Sequence, residues 1–254
     1  MTKLITIPFS HYCEKARWAL DACGVAFRED GHLPMFHYLP TRLAGGRRTV
    51  PVVVTDDKKT IADSTAIVAW ADAKRPGTLL PTETAMRADA LHLEDDFDRH
   101  LGPATRRWAY FQLLPRKDLD HLIVHNVPTW ERLALKVARP LAVRLLTQGL
   151  KIDAAGAERS RAKIDETFTL VGELLEDGRR YLVGERFTIA DLTFASLAAP
   201  VLLPPEYPAK LPPLAEFTRP ARDQVEAWRV SRAGKFALRI YTTERGARRD
   251  RSAA

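Results

Sequence analysis

The stretch Lys3–Glu29, KLITIPFSHYCEKARWALDACGVAFRE, changes its hydrophobic period twice, and those changes decide the fold. KLITI is a short β-rich run. From about Ser10 to Cys23 the residues Tyr12, Ala16, Ala19, Leu20 and Cys23 recur at helical spacing and form one apolar face. Gly24 stands where a helix C-cap needs a residue without a Cβ. VAFRE then reads as a second strand, so two parallel strands flank a right-handed crossover helix. Downstream, TVPVVVT (49–55) and KKTIA (58–62) predict two more strands, with the charged DDKK between them turning an antiparallel hairpin. DSTAIVAWADAKRPG is a helix opened by Asp63 or Ser64 and stopped before Pro76-Gly77. The expectation is a four-stranded mixed sheet with helices on both faces.

Beyond Thr84 the strand signals vanish. TAMRADALHLEDDFDRHL, TWERLALKVARPLAVRLLTQGL, AERSRAKIDETFTLVGELLEDG, TIADLTFASLAAPV and the stretch from Leu214 to Glu244 all read helically. RPGTLLPTET (75–84) is the natural linker, dividing the chain into a small α/β domain (1–81) and a larger all-helical one (82–254). RFTIADL predicts a capping box between Thr188 and Asp191, with Phe187 stapled on Leu192. Trp18 lies opposite the apolar face of the first helix, so that helix is expected to be covered on both sides. In TWERLALKVARPLAVRLL, Arg132, Lys136 and Arg139 oppose Leu133, Val137 and Leu141, and Pro140 predicts a kink. Packing in the helical domain explains that pattern as well as peripheral membrane contact does, and membrane contact is not the favoured reading.

Composition excludes the extreme classes. Hydrophobic residues make up 46% and charged residues 28%, as in an ordinary globular protein. No uninterrupted apolar run approaches the ~20 residues of a membrane span, and no signal-peptide pattern opens the chain. Cys13 and Cys23 are too few for a disulfide framework and fall on different sides of one helix, which points to a reducing cytosol. Much of the +7 formal charge sits in the tail, where Arg245, Arg248, Arg249 and Arg251 cluster. A solvated tail is expected there, and nucleic acid is not expected as a partner.

Several residues have the chemistry of a site. As N-cap, Ser10 satisfies a free helical N–H, or its hydroxyl faces an anion at the positive end of the helix. A thiolate suits that place: lowering a thiol's pKa by one to two units needs about 1.4–2.7 kcal/mol, within reach of one charge-assisted hydrogen bond. Cys13, one turn on, is either a small buried residue or a thiol acidified by the helix N-terminus. With serine at position 10 it has no dithiol partner. His11 and Cys13 lack further ligands of recognisable spacing, His32 and His37 lying on an irregular loop, so no metal is expected. Pro51 opens a strand and is a candidate for a cis bond. Asp63 and Ser64 cap a helix or hold a ligand's ammonium and carboxylate, and Arg47 and Arg48 follow a flexible AGG.

Together these positions resemble a glutathione transferase of the serine type, theta- or zeta-like, over nearly the whole chain. The resemblance implies a thioredoxin-like N-terminal domain, an all-α C-terminal domain and a homodimer. It carries the catalytic serine onto Ser10, and the backbone contact to the glutathione peptide onto Val50 and Pro51 in TVPVVV. The grip on the γ-glutamyl end falls on Asp63 and Ser64 in ADST. FTIADLTFASL is similar to the family's capping box. The segment GHLPMFHYLPTRLAGGRR departs from the usual second helix, and Arg48 is assigned the glycyl carboxylate there. The stretch from Gly102 to Ile152 is unusually long and basic.

The function expected is cytoplasmic conjugation of glutathione, as co-substrate and without metal, to a small electrophile, in the manner of a detoxifying transferase. Two alternatives stand beside it: a binding or scaffold protein that kept the fold without turnover, and a glutathione-dependent thiol reductase using Cys13.

Overall fold

The structure, a computed structural model, describes residues 1–246. Its N-terminal part runs β1 (Thr2–Thr6), α1 (His11–Ala22), β2 (Phe27–Gly31), α2 (Tyr38–Leu43), β3 (Val52–Val54), β4 (Thr60–Ala62) and α3 (Ser64–Lys74). The sheet order is β2-β1-β3-β4. β1 and β2 are parallel, with Thr2 opposite Phe27. β3 is antiparallel to β1, Leu4 facing Val53, and β4 is antiparallel to β3, Val53 facing Ile61. This is the mixed sheet expected from the sequence.

Gly24 closes α1 at φ +70°, and the Val25 N–H reaches back to the Leu20 carbonyl at 2.9 Å, as the C-terminal glycine motif requires. The segment read as irregular contains the short helix α2. Pro40 falls in its first turn, where a missing N–H costs no helical bond.

The helical part begins with α4 (Thr84–Asp96), which passes through one π-helical turn (Phe97–Leu101) into α5 (Gly102–Leu113). There follow α6 (Asp120–Ile123), α7 (Thr129–Gly149), α8 (Ala154–Leu174), α9 (Ile189–Leu202), α10 (Arg219–Val230) and α11 (Arg232–Ile240), with a π-helical end at Tyr241–Gly246. The last helical stretch of the sequence is thus two helices. Ser231 separates them and caps α11 by accepting the Gly234 N–H at 3.0 Å. A Cβ at position 234 would lie 1.9 Å from the Trp228 carbonyl oxygen, so the corner is closed to any larger residue.

One continuous apolar core joins the two parts and includes Leu4 and Val53 of the sheet together with Phe97, Phe194 and Trp228. The predicted capping box is present: Asp191 accepts the Thr188 N–H at 2.8 Å. A second oxygen of Asp191 takes the Leu182 N–H at 2.8 Å, and burial pushes this carboxyl up to about 6. Trp18 is fully buried, stacked on Phe187 at 5.6 Å and tilted against Tyr241 at 4.9 Å, so α1 is covered on both sides as expected.

Two expectations are corrected. Arg245 is not a solvated tail residue: it is 2% exposed and lies 5.8 Å over the Trp18 ring. It donates to Glu14 at 2.7 Å and to Asp21 at 2.5 Å. Arg248, Arg249 and Arg251 lie outside the described residues. In α7, which continues through Pro140, packing does not cover the apolar side: Leu133, Val137 and Leu141 are exposed. Among the described residues, no helix is long and apolar enough to cross a membrane.

Candidate active site

α1 starts where the chain leaves β1 through Pro8 and Phe9. Ser10 is its N-cap, in extended conformation, with its N–H on the Ile7 carbonyl at 2.9 Å and its carbonyl accepting the Glu14 N–H at 2.9 Å. Its hydroxyl makes no capping bond to the helix backbone. Ser10 is half-buried and lines a cleft.

Cys13 is completely buried beneath it. Burial pushes its thiol up to about 11, outweighing the nearby Arg17 and the hydrogen bonding from Ile7 and Ser10. Of the two readings open for Cys13, the structure agrees with the small buried residue: desolvation outweighs the groups that would acidify the thiol. His11 is buried too, with Nε2 donating to the Gly102 carbonyl at 2.9 Å. Burial, and then the charge of Arg106, lower its pKa to about 3, so the imidazole is neutral at physiological pH. A base that weak does not take a proton from the cleft near neutral pH.

The Val50–Pro51 peptide is cis and leads into β3. Asp63 adopts φ 93°, and its carboxylate accepts the N–H groups of Thr65 at 2.9 Å and Ala66 at 3.3 Å. Ser64 is buried at the first position of α3. Arg48 is exposed; its carbonyl accepts from His37 Nε2 at 3.1 Å and its guanidinium lies 5.7 Å from the Tyr38 ring centre.

A buried charged cluster adjoins Ser64 and was missed in the sequence. Lys15 Nζ, fully buried, donates to Glu94, to Asp98 at 2.8 Å and to the Thr65 hydroxyl at 3.3 Å, and Thr65 also donates to Glu94. It ties α1 and α3 to α4. Tyr12 adds a bond from its hydroxyl to the Asp98 carbonyl at 2.8 Å. A Cβ on Gly102 would strike that hydroxyl at 2.2 Å, so a glycine is needed for this close approach. The available signal was the i,i+4 spacing of Glu94 and Asp98, which puts two carboxylates on one face.

The cleft, a cavity of about 160 Å³, lies between the start of α1, the loop after β2, α5, α7 and the chain following α9. Its wall is largely apolar, with Leu33, Leu113, Leu135, Val143 and Leu146 among the lining residues. The loop after β2 is anchored by Glu131 of α7, which takes His32 Nδ1 at 2.5 Å and the Leu33 N–H at 2.7 Å. His32 is thereby committed to positioning. Among the described residues no cluster of three or more His, Cys, Asp or Glu side chains is placed to hold a metal ion.

Comparison with known proteins agrees with this architecture. The family model "Glutathione S-transferase, N-terminal domain" matches residues 4–79. The model "Glutathione S-transferase, C-terminal domain" matches residues 154–229, the two together spanning more than half of the chain. No curated protein matches the sequence. Among solved structures, the fold is similar to glutathione transferase F7 from Populus trichocarpa, at 16% identity and a TM-score of 0.58, covering 94% of this chain and 98% of that one. It is also similar to a Burkholderia graminis glutathione transferase with two glutathione molecules bound per subunit, at 16% identity and TM-score 0.61, covering 98% and 87%. A third is URE2P6 from Phanerochaete chrysosporium in complex with oxidized glutathione, at 12% identity and TM-score 0.64, covering 99% and 96%. The thioredoxin-like sheet with its cis-proline, the all-helical second part and the two family matches show that the chain belongs to the glutathione transferase superfamily.

Proposed function

We propose that the chain conjugates glutathione to an electrophilic small molecule, with Ser10 holding the thiolate. The observation that carries this is the place of Ser10: the residue stands at the start of α1, its hydroxyl makes no capping bond, and it is among the residues lining an apolar cleft. Val50 ahead of the cis-proline offers its backbone to the peptide. Asp63 and Ser64 take the γ-glutamyl end, and Arg48 takes the glycyl carboxylate. The glutathione thiol gives its proton to water. The Ser10 hydroxyl donates to the resulting sulfur anion, aided by the positive end of α1. The thiolate then forms a bond to the electrophilic carbon, and the leaving group departs with the electron pair. On this reading 1–81 binds glutathione, 82–254 shapes the second site, and the protein acts as a cytoplasmic homodimer.

Cys13 has no part in this scheme. A fully buried thiol with a raised pKa is a poor nucleophile near neutral pH, which weighs against the reductase alternative.

The test is glutathione titration combined with turnover of a generic aryl halide. Ser10→Ala is expected to leave glutathione affinity nearly intact, to raise the bound thiol's pKa by one to two units and to lower kcat about 10–100-fold. An unchanged thiol titration in Ser10→Ala would remove Ser10 from the mechanism. Glutathione binding without turnover of any halide, epoxide, disulfide or peroxide would favour the scaffold alternative.

A further inference from the structure

The cleft beside Ser10 holds a cation with nothing to answer it. Arg106 of α5 is half-buried and lines the cleft, and it has no hydrogen-bond or ion-pair partner among the described residues. The neighbouring arginines are all engaged. Arg107 donates to the Leu150 carbonyl at 2.9 Å and to Ser160 at 3.1 Å. Arg116 is held by Asp118 at 2.5 Å and by Glu216 at 2.6 Å. Arg139, which also lines the cleft, is spent on Asp120 at 2.6 Å and on the Leu114 carbonyl at 3.1 Å. Among the described residues Asp120 is the one acidic residue of the lining, and it belongs to Arg139. One turn beyond Arg106 on the same face, the Tyr110 side chain lines the cleft, also without a hydrogen bond among the described residues. Lys210 stands exposed at the rim.

A guanidinium in an apolar cleft loses solvation that only a partner restores. Its planar fork of donors matches a carboxylate, two N–H groups to two oxygens. The rest of the wall asks for an apolar body.

We infer that the second site takes an apolar carboxylate, its acid group held by Arg106 and Tyr110 and its body lying along α5 and α7. This names the class of acceptor for the conjugation proposed above and rests on that reading for turnover, while the binding itself does not require glutathione.

The test uses the full chain and a fluorescent polyene fatty acid, cis-parinaric acid, beside its methyl ester. The acid is expected to bind at least tenfold more tightly than the ester. Arg106→Met is expected to bring the two affinities within about twofold by weakening the acid alone, and Arg106→Lys to retain a few-fold preference. Equal binding of acid and ester to the unaltered protein overturns the assignment, whatever the variants do. So does an Arg106→Met protein that loses both ligands equally, or one that keeps the preference and instead raises the thiol pKa of bound glutathione. The last result would make Arg106 a partner of the thiolate. Failure of glutathione to bind or react leaves the comparison of acid and ester intact, so the two proposals fail separately.

Discussion

Helices α9 and α7 both read as helices in the sequence and both contain an internal proline, yet they do opposite work. In α9, thirteen of fourteen residues are buried. In α7, only Glu131, Leu135 and Ala142 of twenty-one are, while Trp130 and Val137 are 60% and 85% exposed. A helix apolar all round belongs inside a core; one with a narrow inner stripe lies on top of something. α9 packs against α1 and so helps to fix the place of Ser10. α7 sends Leu135, Val143 and Leu146 to the cleft and closes it from outside. Stability is concentrated in one helix and ligand shape in the other.

The largest effect that separates them is expected from Phe194→Ala. Phe194 is fully buried in α9 between Phe97 at 5.3 Å, Phe168 at 5.6 Å and Phe236 at 6.2 Å. Its truncation is expected to cost about 3–5 kcal/mol in urea unfolding, transfer and cavity terms together. A loss below about 1 kcal/mol would deny α9 its central place.

How much of this was legible follows the range of the interactions. The strand–helix–strand opening, Gly24, Pro51 and the Thr188–Asp191 box were readable because each is written in a few consecutive residues. Ser10 was readable as a position. The Lys15–Glu94–Asp98 cluster was not, since a lysine between two core-facing residues reads as solvated unless its partner 79 residues away is known. Arg245 looked like tail for the same reason: its partner Glu14 is 231 residues away. The choice between the two readings of Cys13 also escaped, because helix position argues for a lower pKa and only the burial seen in the fold decides for a higher one. Arg106 offers no local signal at all, as being unpaired is a property of everything around it.

A second, middle-sized effect tests the box that starts α9. The Asp191 carboxyl has a folded pKa of about 6 against an ordinary value of 3.8, raised by burial with no cation beside it. The folded state therefore binds this proton more tightly than the unfolded one. The contribution is fully present below pH 4 and is lost as pH rises through 6, an amount on the order of 3 kcal/mol. Asp191→Asn keeps an acceptor and removes the titration. Its unfolding free energy is expected to lack that fall between pH 4 and 6. A variant whose pH profile superimposes on the unaltered protein's would assign the fall to other carboxyls.

The smallest effect belongs to the outer face of α7. Val137 is more exposed than Leu133 or Leu141 on the same stripe. Val137→Ser is expected to change stability by no more than about 0.5 kcal/mol, whereas Leu135→Ala, turned inward by two positions, is expected to cost about 2 kcal/mol or more. Urea unfolding at two protein concentrations reads both. A loss above about 2 kcal/mol for Val137→Ser, or one that shrinks with dilution, would mean that a second surface covers this stripe in solution, for an apolar face of this extent is otherwise left to water. α7 would then be a shared wall rather than an outer one, and the cleft behind it would answer to whatever packs on the far side.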